Sequence, residues 1–363
     1  MTSVAYVDLV PDTVIGSYRI VREIGRGGMG TVFEAVHTIL PRRAAIKVMH
    51  PELCRHPGMA TRMVQEASIL EDIRHPGLVR VFECNLLPDH RPYIVMELVE
   101  GDTFASRLQQ PTKVPWVDVA AVIANVADVL TAVHTRGIVH RDLKPDNLLL
   151  PKDDRDHPIR LIDWGVARLG PIGRLTLEGL TPGTPIYMSP EQATGQHIAA
   201  PCDIYSLGVI AYEALAGAPP FDGRTLAEIV CMHLAGSPVQ LRTRCTAPMV
   251  LCQLVHRMLD KDPARRPMAI DVRNRAREII VDLATAYDDI QVVRDSAIPE
   301  PVPTEESYIV DLEDLECGAT DPLGIPKPRW TPQPHYATVP RTRLITPRGR
   351  RDQISGEIVP RRR

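Results

Sequence analysis

Ile24-Gly25-Arg26-Gly27-Gly28-Met29-Gly30-Thr31-Val32 is the stretch that decides between two folds. Gly25, Gly27 and Gly30 fit the pattern G-x-G-x-x-G. That pattern is weak by itself, because any glycine-rich hairpin can meet it. The flanks carry the information. A dinucleotide fingerprint needs a helix directly after the glycines. Here β-branched Thr31 and Val32 lead into Phe33-Glu34-Ala35-Val36, which alternates as a strand. Tyr18-Arg19-Ile20-Val21-Arg22-Glu23-Ile24 alternates in the same way on the other side. Strand, glycine loop and strand make a hairpin, and its missing Cβ atoms let backbone N–H groups approach phosphates.

Working outward, Ala44-Ala45-Ile46-Lys47-Val48 places a lysine among apolar strand residues. Such a lysine needs a partner or a ligand unless it snorkels to solvent. A helix is expected over residues 58–73, with Met63, Ala67 and Leu70 on one face. Glu66 borders that face, and an ion pair with Lys47 would account for both residues. Tyr93-Ile94-Val95-Met96-Glu97-Leu98-Val99-Glu100-Gly101 reads as a strand running into a glycine hinge, which marks a lobe boundary. Residues 116–135 form a long apolar helix expected in the core, on which Asn125 and Asp128 need no function.

The densest chemistry lies in His140-Arg141-Asp142-Leu143-Lys144-Pro145-Asp146-Asn147, followed by the apolar run Leu148-Leu149-Leu150. Charge this dense beside a buried strand is costly unless something uses it. Asp142 could accept a proton from a hydroxyl, and Lys144 could neutralise phosphate charge. Asn147 could ligate a hard cation through its amide oxygen, as Mg²⁺ prefers. A solvated charged turn is the competing account. Farther on, Asp163 ends the apolar run Ile159-Arg160-Leu161-Ile162 just before Trp164-Gly165, a good place to hold a metal. Residues 166–188 are glycine- and proline-rich, carry Thr176, Thr181 and Thr184, and end at Met188-Ser189-Pro190-Glu191. Asp203 opens another apolar helix through Ala216. Asp262-Pro263-Ala264-Arg265-Arg266-Pro267 precedes a last helix expected to reach about residue 287.

The net charge of −3 over 363 residues gives no basic field of the kind nucleic acid requires. Seven scattered cysteines form no C-x-x-C pair, which argues against zinc and disulfide frameworks and for reduced, cytosolic thiols. No basic n-region precedes the first apolar runs, so no secretory signal is expected. No uninterrupted apolar run has the length of a bilayer span. Prolines recur beyond residue 290 around an acidic island at 305–316, and the end is basic through Arg361-Arg362-Arg363. That composition reads as a disordered tail.

Glycine loop, strand lysine, helix glutamate, His-Arg-Asp loop, Asp-x-Gly and closing Pro-Glu occur in one order that resembles the eukaryotic-like protein kinase family, in particular the Ser/Thr kinases of bacteria. The resemblance implies an α+β, bilobal protein-kinase fold with a small β-rich N-lobe (18–97) and a larger helical C-lobe (98–285). An N-terminal extension (1–17) would precede it, and the tail (286–363) would follow. It implies ATP and Mg²⁺. Ile24, Gly25, Arg26, Gly27, Gly28, Met29, Gly30, Thr31 and Val32 would cover the phosphates. Ala45, Met96, Glu97 and Val99 would border the adenine. Lys47 would pair the α/β-phosphates and Glu66. Asp142 would be the catalytic base, beside Lys144, and Asn147 and Asp163 would be the metal ligands. Thr184 matches a threonine near the acceptor hydroxyl, Glu191 and Arg266 a structural ion pair, and Asp203 a buried helix cap under the catalytic loop. Thr176 matches the loop phosphosite, which Arg141 would pair.

Trp164 replaces the usual Phe, Ser189 the usual Ala, and Ala44-Ala45-Ile46-Lys47 lacks the usual Val. The resemblance further implies protein Ser/Thr substrates, self-association for autophosphorylation between two molecules, a cytoplasmic location, and neither nucleic acid nor a membrane span. A nucleotide-binding pseudokinase scaffold is the alternative. Such proteins usually lose one of Lys47, Asp142, Asn147 or Asp163, and this chain keeps all four. A small-molecule phosphotransferase is disfavoured by Lys144 and the Pro-Glu motif.

Overall fold

Alternating residues near the N-terminus become a six-stranded antiparallel sheet in the computed structural model. The structure describes residues 6, 8–28, 30–55, 58–152, 157–163 and 184–296, without the side chains of 62, 65, 66, 69, 70, 184 and 283–296. The expected tail beyond residue 296, Met29, Trp164, Thr176 and Thr181 lie outside the described residues, as do the side chains of Glu66 and Thr184.

The sheet runs β1 (Val14–Ile15), β2 (Tyr18–Arg26), β3 (Gly30–His37), β4 (Arg43–Met49), and then, past α1 (Pro51–Cys54) and α2 (Met59–Asp72), β5 (Val81–Leu86) and β6 (Pro92–Glu97). Its spatial order is β1-β2-β3-β4-β6-β5. The period of two sorts β4 onto two faces. Ala44, Ile46 and Val48 join Ile20, Phe33 and Val95 in one apolar cluster. Met49 joins Met63 and Ala67 of α2 and Ile94 of β6 in a second. Lys47 lies opposite Val32 on β3 and Ile94 on β6, so it is held in the middle of the sheet. Gly30 has a packing reason at this crossing: a Cβ there would run into the Val48 carbonyl.

Beyond the hinge come β7 (Gly101–Thr103), α3 (Phe104–Leu108), α4 (Trp116–His134), β8 (Leu148–Pro151) and β9 (Arg160–Leu161). The three strands form a second antiparallel sheet, β7-β8-β9, just past and just before the charged loops. Among the described residues five α-helices follow: α5 (Pro190–Ala193), α6 (Pro201–Ala216), α7 (Leu226–Ala235), α8 (Met249–Met258) and α9 (Ala269–Ser296). The last continues past the end expected from periodicity.

Helix α4 is the axis of this lobe. Its Val119, Ile123, Val126, Leu130 and Val133 are fully buried and share one cluster with α6, α8 and α9. Its 19 residues and mean hydropathy of 1.7 have the length and composition of a bilayer span, although no uninterrupted apolar run was expected to reach that size. The polar interruptions explain the difference. Asp128 accepts from Arg273 (2.8 Å) and Arg277 (3.0 Å) of α9, and Asn125 bonds back to the Ala121 carbonyl at 2.8 Å. These are the contacts of a helix buried in protein.

Candidate active site

The two sheets and the charged loops enclose a cleft of about 1160 Å³. Its roof is the β2–β3 hairpin, where the Gly27 N–H donates to the Gly30 carbonyl (2.9 Å) and His50 Nε2 meets the Gly27 carbonyl (3.0 Å). Ile24, Gly25, Arg26, Gly27, Gly28, Gly30, Val32 and Ala45 line it, and Thr31 is buried in the same hairpin. Its back is the hinge, where Met96, Glu97 and Val99 line the cleft. There Glu97 exchanges two bonds with Arg80: its N–H donates to the Arg80 carbonyl and its carboxylate accepts from the Arg80 N–H.

Lys47 and Asp163 stand 116 residues apart in sequence and meet at 2.7 Å, Nζ to Oδ1. Asp163 is in the left-handed region (φ 56°), which turns its carboxylate back into the cleft from the end of β9. The Lys47 charge holds that carboxyl below the usual range against the opposing effect of burial, with help from His140 and Lys144. The floor is the loop from 140 to 147, which ends in a 3₁₀ turn over Pro145–Asn147. Asn147 is buried and donates its amide N–H to the Asp142 carbonyl at 2.8 Å. That bond fixes the Asn147 amide and leaves its oxygen as the acceptor. Lys144 Nζ is 3.6 Å from Asp142 Oδ2.

Below this loop sits Asp203, fully buried on α6. Its carboxylate accepts from the backbone N–H of His140 and of Arg141, each at 2.8 Å, and from His134 Nε2 at 2.8 Å. Burial pushes its pKa up, but the His134 hydrogen bond, the nearby histidines and the Arg141 N–H outweigh it and hold it low. The expected helix cap is therefore corrected. Asp203 lies in the first turn of α6 and makes no cap bond there; it binds the amides of the catalytic loop instead. Those amides need such an acceptor because Arg141 is left-handed (φ 67°). Buried His140 accepts from the Asp142 N–H through Nδ1 (3.4 Å) and faces the Ile162 carbonyl through Nε2 (3.2 Å), and burial lowers its pKa. Glu191 and Arg266 form the expected pair, bidentate at 2.7 and 2.9 Å and buried.

Four polar contacts on the cleft wall join residues that the sequence motifs do not single out. Glu34, buried on β3, takes Arg22 at 2.8 Å and Arg43 at 2.7 Å. Arg43 also pairs with Glu100 beyond the hinge. Tyr187 donates its hydroxyl to Glu213 of α6 at 2.8 Å. An acid between Phe33 and Ala35 is a signal, and Arg22, three positions upstream of Gly25, is its opposite charge. The Tyr187–Glu213 contact had no local signal.

Among the described residues, His75, Asp128 and His157 gather ligand types suited to a metal. Their hydrogen bonds argue for a structural clasp. His75 Nδ1 accepts from the Gly77 N–H at 3.0 Å, so its Nε2, the nitrogen facing Asp128, carries the proton. Both oxygens of Asp128 are held by Arg273 and Arg277.

The sequence pattern of the protein kinase domain family matches residues 18–276. Serine/threonine-protein kinase pkn2 of Myxococcus xanthus is 37% identical over 289 residues, which cover 77% of this chain and 34% of that protein. Serine/threonine-protein kinases PknA of Corynebacterium glutamicum is 34% identical over 263 residues, 71% of this chain and 55% of that one. The chain thus spans roughly a third to a half of these relatives' lengths. The PknI kinase domain of Mycobacterium tuberculosis superposes with a TM-score of 0.60 at 25% identity, covering 75% of this chain and 100% of that one.

Proposed function

The chain belongs to the protein kinase family, and we propose that it transfers the γ-phosphoryl group of ATP to serine or threonine hydroxyls of proteins. The observation that carries this reading is the 2.7 Å contact of Lys47 and Asp163 over the Asp142–Asn147 floor, all in one cleft. Phosphoryl transfer needs little covalent help and much positioning of charge. Lys47 supplies a cation for the α/β-phosphates. Asp163 and the amide oxygen of Asn147 are hard oxygen donors of the type that holds Mg²⁺. Bound there, the ion neutralises charge developing on the phosphate oxygens. Asp142 takes the proton of the acceptor hydroxyl, a role that typically supplies ~10²–10⁴-fold. Lys144, 3.6 Å from that carboxylate, is placed to meet the transferred group.

The test is transfer from Mg·ATP to the chain itself and to a degenerate Ser/Thr peptide library, read by mass spectrometry. Wild type should modify threonine or serine. Asp163→Asn and Lys47→Met should fold with unchanged melting temperature and lose nearly all transfer. Robust turnover by the Lys47 variant would remove the site assignment.

Regulation follows from Arg141, half-buried next to Asp142. A phosphothreonine brings about −1.5 to −2 charges, enough for charge-assisted bonds to an arginine. Thr176 is the proposed acceptor, modified by a second copy of the chain.

A further inference from the structure

Asp142 is aimed by the two peptide planes that flank it. The plane after it is fixed by Asn147, whose amide holds the Asp142 carbonyl at 2.8 Å. The plane before it, between Arg141 and Asp142, is harder to hold. Arg141 is left-handed (φ 67°), and a residue with a Cβ keeps that conformation only where its surroundings impose it. Asp203 takes the Arg141 N–H, which belongs to the preceding plane. Being an acceptor, it can do nothing for the Arg141 carbonyl. On the other edge of the plane the Asp142 N–H reaches His140 Nδ1 at 3.4 Å, a long contact. Rotation of this plane changes the φ of Asp142 and swings its carboxylate.

The Arg141 carbonyl accepts from Gln192 Nε2 at 2.7 Å, across 51 residues of sequence. The orientation of the Gln192 amide is itself determined. Its Oε1 accepts from the Ser189 N–H at 3.0 Å, so a flipped amide would set oxygen against the Arg141 carbonyl and N–H against the Ser189 N–H. Ser189 returns the bond: its Oγ accepts from the Gln192 N–H at 3.4 Å, which closes a reciprocal capping box. The serine that stands in place of the usual Ala supplies that second bond.

The mount is rigid. Ser189 is fully buried. Glu191, between Ser189 and Gln192, is bidentate to Arg266, which also donates to the carbonyls of Asp260 (2.8 Å), Pro201 (2.9 Å) and Lys261 (3.3 Å). Helix α5 is thus anchored independently of the Gln192–Arg141 bond, which leaves that bond to act on the loop.

We infer that Gln192 is a positioning residue for the base: its amide locks the peptide plane between Arg141 and Asp142 and so aims the Asp142 carboxylate at the acceptor hydroxyl. The inference rests on the kinase reading proposed above and adds to it a side chain on α5, beneath the loop.

The test uses the whole chain, Mg·ATP and the acceptor peptide that the wild type selects from a degenerate library, and reads the transfer step in a single turnover. Gln192→Met keeps the bulk of the side chain and removes the donor. It should slow that step about 10–100-fold, since a small misplacement of a catalytic group costs up to about 10²-fold. The dissociation constants of a fluorescent ATP analogue and of the peptide should stay within about twofold. Gln192→Glu keeps the acceptor for the Ser189 N–H but has a donor only when its carboxyl is protonated. Its rate relative to wild type should therefore rise about fivefold as pH falls from about 7.5 to about 5, toward the ordinary Glu pKa of about 4.3. A Met variant that transfers at the wild-type rate overturns the inference, as does one that loses both affinities and melting temperature together with rate. Where the Met variant does not fold, the Glu variant decides, and a ratio flat with pH overturns the inference. Wild type that phosphorylates no acceptor overturns the kinase reading and this inference together. Wild type that phosphorylates while both variants match it overturns this inference alone.

Discussion

Two loops face each other across the cleft and are held in opposite ways. The floor loop, 140–147, is tied from beneath: Asp203 takes two of its backbone N–H groups, Gln192 donates to the Arg141 carbonyl at 2.7 Å, and Asn147 closes it from within. The roof loop is open at its first two glycines. A Cβ on Gly25 or Gly27 would meet nothing within 4 Å. Groups that must be in place before charge develops are preorganised. A cover that must admit and release its ligand draws on the less restrained part of the structure. A glycine in each loop's surroundings therefore means something different, and so does a lost acid.

The sharpest test of the contrast is Asp203→Ala. It leaves two buried amides and His134 without their acceptor, and breaking such a buried charged network costs about 3–5 kcal/mol. The melting temperature should fall and transfer should vanish with it. A stable Asp203→Ala protein that is merely slower would mean that the floor is not held from beneath.

Acid should loosen the floor's lobe before the roof. His140, His75, His233 and His256 all have pKa values lowered mainly by burial, His233 to about 4. The unfolded chain takes up protons near its ordinary histidine pKa of about 6.5 while the folded chain does not. Stability is thus full above that pH and falls as pH drops from about 6.5 toward 4, by up to about 3 kcal/mol for His233 alone. Melting temperature against pH should show this slope, and His233→Gln should flatten part of it. An unchanged slope in that variant would assign the loss to other groups.

Within the roof the glycines should separate. Gly30→Ala forces a Cβ into the Val48 carbonyl and should destabilise by about 1–3 kcal/mol. Gly25→Ala and Gly27→Ala should leave the melting temperature unchanged and raise the KM for ATP a few-fold, about 1 kcal/mol, because only a bound phosphate needs that space. Equal effects at all three positions would erase the distinction between a hinge of the sheet and a cover. The smallest effect expected is that of Thr176→Ala: an unchanged ATP affinity, and loss of the activity gained on preincubation with Mg·ATP, checked by mass spectrometry of that residue. An unmodified Thr176 with full activity in the variant would leave the floor loop needing no incoming phosphate.

The legible part of the site was local. Lys47 announced itself as a charge in an apolar strand, Asp142 and Asp163 as charges beside buried strands, and Asn147 as an amide in the same dense polar loop. The individual elements followed from two periods and from the strand after the glycines, and the bilobal fold from the family order of the motifs. What stayed hidden is contact between distant segments. Lys47 and Asp163 could be placed in one cleft only through the family order, because nothing local joins residues 116 apart. Asp203 reads as a helix cap, and its bonds go instead to the amides of the loop above it. Glu34 showed an anomaly but not its second partner, Arg43, which comes from the neighbouring strand. Glu213 sits in a helix whose apolar pattern already explains it, so its polar task left no mark on the sequence.

Helix α4 has a consequence in time. It is complete at His134, whereas α9, which covers one of its faces, begins at Ala269. The intervening 134 residues, at ~5–20 residues per second of synthesis, take roughly 7–27 s. During that interval a helix with a mean hydropathy of 1.7 has left the ribosome without its native cover. Among the described residues it is the helix with the length and hydropathy to compete for chaperones and membrane-insertion machinery. The helices synthesised in between, α6 first among them, decide that competition by how soon they dock.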